Sequence, residues 1–189
     1  MEILPVFASF LIQEKLGVDT QLLKDWAFCQ PALAKSKIEL NFKEKELQPL
    51  YNSVNNVLNE LHTFLGFKST TKQELYEGWV NLETTDRTSV PHRHPRAHYI
   101  CIYYPHIVGN VGYLELTNPN NALEYVLPQT HLENIVENHN IFNSALWQIE
   151  PQEDVLIVIP AWLQHYVRPN LPGAERMSIA LNSKIVTSI

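Results

Sequence analysis

"DVLIVIPAWLQHYVRP", residues 154–169, decides how the second half of this chain folds. Val155 to Pro160 is a short apolar run opened by Asp154, and it predicts a buried strand. A Pro-containing turn follows, and "QHYVRP" predicts a second strand that carries His165. The same texture recurs in "GWVNLET" at 78–84, "HYICIYYP" at 98–105, "GYLELTNP" at 112–119, "ALWQIEP" at 145–151 and "RMSIALNSKIV" at 176–186. Each is short, rich in Val, Ile, Tyr and Trp, and bounded by Pro, Gly, Asn or Asp. Several such strands predict a mainly β fold, a jelly roll or cupin-like double-stranded β-helix over about residues 75–186.

The first third reads as helical, to about residue 70. From Lys43 to Phe67, apolar residues recur in steps of three and four at Leu47, Leu50, Tyr51, Val54, Val57, Leu58, Leu61 and Leu65. That spacing predicts one buried helix face, stopped at Gly66. A shorter helix is predicted over Thr20 to Phe28, capped by Asp19 or Thr20. These N-terminal helices should pack on one sheet of a single domain spanning 1–189. Residues 120–144 are Asn-rich and weakly periodic, predicting either a binding loop or a solvated excursion.

Composition narrows the function classes. Of 189 residues, 45% are apolar, enough for a sizeable core. The net charge is −6 with no basic run, which argues against nucleic acid as a partner. Two cysteines, Cys29 and Cys101, make neither a disulfide framework nor a Cys-rich zinc site, and suggest a reduced, cytoplasmic setting. No apolar run reaches 18 residues, so no membrane span is expected, and the N-terminus lacks signal-peptide features.

"HRHP" at 92–95 carries the first chemistry. Residues two apart on an extended chain point the same way, so His92 and His94 can reach one metal ion. A third ligand must come from elsewhere, and a jelly roll can bring His165 to the pair. The plain alternative for His165 is a strand histidine bonded to a backbone carbonyl. His98 shares the parity of the pair, but it lies beyond Pro95 at the start of the next strand and is left out of the ligand set.

Alternation in "RMSIALN" puts Arg176, Ser178, Ala180 and Asn182 on one face, opposite Met177, Ile179 and Leu181. An arginine on the inner face of a central strand needs an anion, since an unpaired buried charge costs several kcal/mol. Its planar fork matches a carboxylate, and Ser178 adds a hydroxyl. The anion is either a ligand or an internal partner such as Glu115.

Taken together, "GWVNL" at 78–82, "HRHP" at 92–95, "IYY" at 102–104, "IPAWLQHYVRP" at 159–169 and "ERMSIALN" at 175–182 resemble the iron(II)- and 2-oxoglutarate-dependent oxygenases. More narrowly they resemble a small group of bacterial and phage members with a His-x-His…His…Arg-x-Ser pattern; "LPVF" at 4–7 is also similar. The resemblance implies that His92, His94 and His165 hold iron. It implies that Arg176 and Ser178 bind the distal carboxylate of 2-oxoglutarate. Asn81, Tyr103 and Asn182 would line the cosubstrate pocket. The activity implied is a dioxygenase reaction using O2: 2-oxoglutarate is decarboxylated to succinate and CO2, and a C–H bond of a small molecule or protein side chain is hydroxylated. A homodimer is compatible with the pattern. Location would be the bacterial cytoplasm, or a host's if phage-encoded.

The chain departs from the superfamily in placing His94 where a carboxylate is usual. It also has Ile100 and Cys101 where a Ser-Gly pair is expected, and it lacks a Gly expected near Glu153. Two other classes use the same histidines: a three-His zinc hydrolase or lyase, and a cupin-like binding protein without 2-oxoglutarate. A scaffold β-sandwich without any site is a further alternative. The zinc class leaves Arg176 and Ser178 unexplained.

Overall fold

Strands buried on both faces need a layer on each side, and this chain supplies helices on one and a second sheet on the other. The computed structural model describes residues 9–30, 38–84, 89–120 and 136–187. Its elements are β1 (Ile12–Lys15), α1 (Thr20–Phe28), β2 (Ile38–Glu39), a 3-10 turn (Lys45–Leu47), α2 (Gln48–Phe64), β3 (Thr71–Glu83), β4 (Tyr99–Val108), β5 (Leu114–Thr117), β6 (Leu146–Ile149), β7 (Val155–Pro160), β8 (His165–Val167) and β9 (Glu175–Thr187). Six strands form the larger sheet in the order β1-β7-β4-β9-β3-β2, and three form the smaller in the order β6-β5-β8. All the strand pairs are antiparallel.

Two apolar cores follow from the alternation. On one side of the large sheet Tyr99, Cys101, Tyr103, Leu156, Val158, Met177, Ile179 and Leu181 meet Leu23 and Trp26 of α1 and Leu50, Val54, Leu58 and Leu61 of α2. On the other side Ile100, Ile102, Tyr104, Ile157 and Ile159 meet Leu114, Leu116 and Ile149 of the small sheet. The jelly roll with helices on one sheet is therefore as expected.

The short helix begins at Thr20 with Asp19 as cap: Leu22 N–H donates to Asp19 Oδ1 at 3.1 Å. The long helix starts later than its periodicity suggests. Pro49 stands in its first turn, where its fixed φ and missing N–H are tolerated, and a 3-10 turn takes residues 45–47. It ends where expected, with Gly66 at φ +74°. Strand β3 begins seven residues before "GWVNLET", in a polar stretch, "TKQELYE", whose pairing with β9 the alternation does not reveal. The short strands β1 and β2 also lack a sequence signal. Most of the 120–144 segment and the "LPVF" stretch lie outside the described residues.

Both cysteines are free thiols, Cys29 exposed and Cys101 buried. Among the described residues no helix is long and apolar enough to cross a membrane.

Leu58 is fully buried between α2 and the large sheet. Leu58→Ala should lower stability by about 2–5 kcal/mol, read from urea unfolding monitored by circular dichroism. The barrel-side histidines do not touch this layer, so metal content of the folded protein should stay at the wild-type level.

Candidate metal centre

The turn after β7 and the segment before β4 are stitched together by main-chain bonds. His92 N–H donates to His165 O and His165 N–H to His92 O, each at 3.0 Å, an isolated antiparallel bridge. His94 N–H donates to Ala161 O at 3.0 Å. These bonds bring His165 onto the same spot as the His92 and His94 pair, more than 70 residues away in sequence. A ring nitrogen from each of His92, His94 and His165 lies within 4.8 Å of the others, close enough to share one ion.

Each ring is held through Nδ1. His92 Nδ1–H donates to Val90 O (2.7 Å), His165 Nδ1–H to Leu163 O (2.9 Å) and His94 Nδ1–H to Asn182 Oδ1 (3.1 Å). A ring protonated on Nδ1 carries its lone pair on Nε2, the tautomer a metal ligand needs. Trp79 stacks on His94 with ring planes 2° apart and centroids 5.7 Å apart. His165 is 3% exposed, and burial, aided by the two neighbouring imidazoles, pushes its pKa down to about 4 against the pull of the Leu163 carbonyl. It stays neutral, with its lone pair available, at ordinary pH. His98 is elsewhere: its Nδ1 sits 2.8 Å from Gln73 Nε2 and its ring meets Phe67 edge-on.

Farther along β9, Arg176 is 1% exposed. Its guanidinium donates to the Glu83 carboxylate, directly across the β3–β9 ladder, and to Gly112 O at 2.6 Å. Burial lowers its pKa to about 10, and it remains charged. A ring of bonds closes this end: Gly112 N–H donates to Asn170 Oδ1 at 3.1 Å, and Asn170 Nδ2 donates to Glu83 O at 2.7 Å. A side chain at Gly112 would put its Cβ 1.9 Å from Arg168 O, so only glycine fits. The internal partner of Arg176 is thus Glu83, not Glu115. Glu115 binds Arg168 at 2.9 Å and Gln148 at 2.7 Å, and its neighbours Leu114 and Leu116 are the ones that face the core.

Of the other predicted residues, Asn81 and Ser178 face each other across β3 and β9, with Asn81 Nδ2 3.5 Å from Ser178 Oγ. Asn182 lies on the same face but beside the histidines, bonded to His94. Tyr103 is corrected: it points into the helix-side core and donates to Asp154 Oδ1 at 2.9 Å. Its neighbour Tyr104 faces the barrel instead. The Tyr104 hydroxyl is buried without a hydrogen-bond partner among the described residues, and burial raises its pKa. An all-apolar run hides which tyrosine faces inward. The alternating polarity of β9 does not extend to β4.

The residues fit the groups that the resemblance implies. Three neutral imidazole donors suit a divalent transition metal. A buried guanidinium, a hydroxyl at Ser178 and the Tyr104 hydroxyl, without a partner among the described residues, suit an anionic oxygen ligand within the same barrel.

The fold has many solved counterparts. A prolyl-4-hydroxylase from Pseudomonas putida superposes with a TM-score of 0.62 at 13% identity, over 92% of this chain and 91% of that one. A viral collagen prolyl hydroxylase from Paramecium Bursaria Chlorella virus-1, solved with 2-oxoglutarate, gives 0.60 at 8% identity, over 92% and 94%. HygX from Streptomyces hygroscopicus, solved with nickel and 2-oxoglutarate, gives 0.57 at 12% identity, over 93% and 81%. No curated protein matches the sequence. The family model described as "Putative 2OG-Fe(II) oxygenase" matches residues 77–182, which run from β3 through all three histidines to Asn182. The chain belongs to this family of iron(II)- and 2-oxoglutarate-dependent oxygenases.

Proposed function

We propose that the protein is a dioxygenase that couples decarboxylation of 2-oxoglutarate, to succinate and CO2, to hydroxylation of a substrate C–H bond. The observation that carries this is the pairing of two features in one barrel: three imidazoles pinned through Nδ1, and a buried arginine farther along the same inner face. His92, His94 and His165 are the metal ligands in this proposal. Iron(II), when bound, supplies the site where O2 is activated for oxidation of the 2-oxo acid and then of the substrate.

The chain's own residues do the rest. Arg176 pairs with the distal carboxylate of 2-oxoglutarate, and Ser178 and Tyr104 add hydroxyl donors on the same face. Asn81, within reach of Ser178 Oγ, orients that hydroxyl. Glu83 already shares the Arg176 guanidinium, so the incoming carboxylate uses donors that Glu83 and Gly112 leave over. The apolar wall of Ile100, Ile102, Ile157 and Ile159 excludes water from the space between the ends. Ile100, where the resemblance leads one to expect a small residue, is part of this wall. Trp79 keeps the His94 ring flat against the β3 wall.

The test is anaerobic. Iron(II) protein should develop a weak visible charge-transfer band when 2-oxoglutarate is added. Arg176→Ala should weaken 2-oxoglutarate binding about 10- to 100-fold, the worth of one charge-assisted pair. Tyr104→Phe should weaken it less, and Tyr103→Phe not at all. A wild-type protein with no band that never forms succinate would overturn the proposal.

Metal content separates the ligand roles. His165→Ala should lose most bound iron, measured by elemental analysis of the reconstituted, desalted protein. His94→Ala should lose a comparable amount. Near-normal iron in His165→Ala would rule out the site.

A further inference from the structure

The three imidazoles are not held by the same kind of acceptor. Val90 O and Leu163 O are main-chain carbonyls, which can only accept, so the backbone itself fixes His92 and His165 in the Nδ1–H form. His94 instead faces the side chain of Asn182. A primary amide presents an acceptor oxygen on one side and a donor NH2 on the other, in nearly the same shape. Half a turn of the Asn182 amide would aim NH2 at His94 Nδ1. The ring would then carry its proton on Nε2 and have no lone pair to give.

Something must choose the amide's orientation, and Glu77 does so. Glu77 and Asn182 are direct partners in the β3–β9 register, next to the bulge between Leu75 and Glu77. Asn182 Nδ2 donates to Glu77 Oε2 at 2.7 Å. An ionised carboxylate only accepts, so it draws the NH2 to itself and leaves Oδ1 toward His94. The reverse orientation would set Oδ1 against the carboxylate, two acceptors with no proton between them. Asn182 is 4% exposed, so bulk water is poorly placed to repair that contact.

We propose that Glu77 is a positioning residue that acts through Asn182 as a tautomer lock, keeping His94 protonated on Nδ1 and bare on Nε2. The role rests on the proposal above that His94 is a ligand, but the lock itself can be tested without metal. It also returns a negative charge to a triad of neutral donors, two hydrogen bonds out, on the one histidine that stands where a carboxylate is usual.

The experiment uses the full chain, first metal-free. Long-range 1H–15N correlation spectra of the imidazoles should show His94 as the Nδ1–H tautomer in wild-type protein. Glu77→Ala should introduce the Nε2–H form. Glu77 is exposed, so this variant should fold, and the neighbouring His92 and His165 should keep their wild-type spectra as the internal check. Cobalt(II) affinity, measured by competition with a chromophoric chelator, should fall about 10- to 100-fold in Glu77→Ala. Adding Asn182→Asp, an acceptor that cannot present the wrong donor, should recover most of that loss in the double variant. A purely structural role for Glu77 predicts no such rescue.

An unchanged His94 tautomer in Glu77→Ala, or a double variant as weak as Glu77→Ala alone, overturns the lock. A tautomer shift with wild-type cobalt affinity supports the lock and counts against His94 as a ligand.

Discussion

Strand β9 lies between β3 and β4 with a layer against each face, so every polar group it turns inward must be satisfied inside the barrel. Met177, Ile179 and Leu181 seat the strand on the helices. That leaves Arg176, Ser178 and Asn182 on the inner face, and each has drawn a partner into place. Arg176 holds Glu83 and Gly112, Ser178 meets Asn81, and Asn182 joins Glu77 to His94. The site is largely a record of how one strand's inner face is neutralised.

The order of groups along that face sets what each can do. Asn182 sits at the histidine end and Arg176 at the other. In the proposed reading, the metal-binding head of the cosubstrate lies at the first end and its distal carboxylate at the second. The Glu83 ion pair adds a constraint: the guanidinium is never left bare in a low-dielectric space, where an unpaired charge is most costly.

Much of this was legible in the sequence, for reasons that can be named. Strand β9 alternates polar and apolar, so its two faces could be assigned by counting. The two-residue spacing of His92 and His94 likewise fixed their shared direction. Strand β4 gave no such contrast. "YICIYY" is buried on both sides, and period two cannot show which tyrosine looks into the barrel. Tyr104 therefore went unnoticed in favour of Tyr103. The partner of Arg176 was also out of reach, because it depends on the β3–β9 register, and β3 extends through a polar stretch without a strand signature. Asn182 was rightly placed on the inner face, but its bond to His94 depends on where the segment before β4 lies, and that is fixed by main-chain bonds to Ala161 and His165.

Those same main-chain bonds have a thermodynamic side. The segment carrying His92 and His94 is tied to β8 and the turn before it by a few bonds, at His165, Val167 and Ala161, a small connection for two pieces of chain so far apart in sequence. An ion shared by His92 and His165 would act there as a cross-link, closing a long loop and adding to the few hydrogen bonds that join its ends. Ligation free energy then becomes local folding free energy, about 2.7 kcal/mol when the free metal stands at a hundred times its dissociation constant. Metal scarcity would then loosen this corner first and leave the two cores closed, so occupancy of the proposed centre and order of this corner would be one equilibrium.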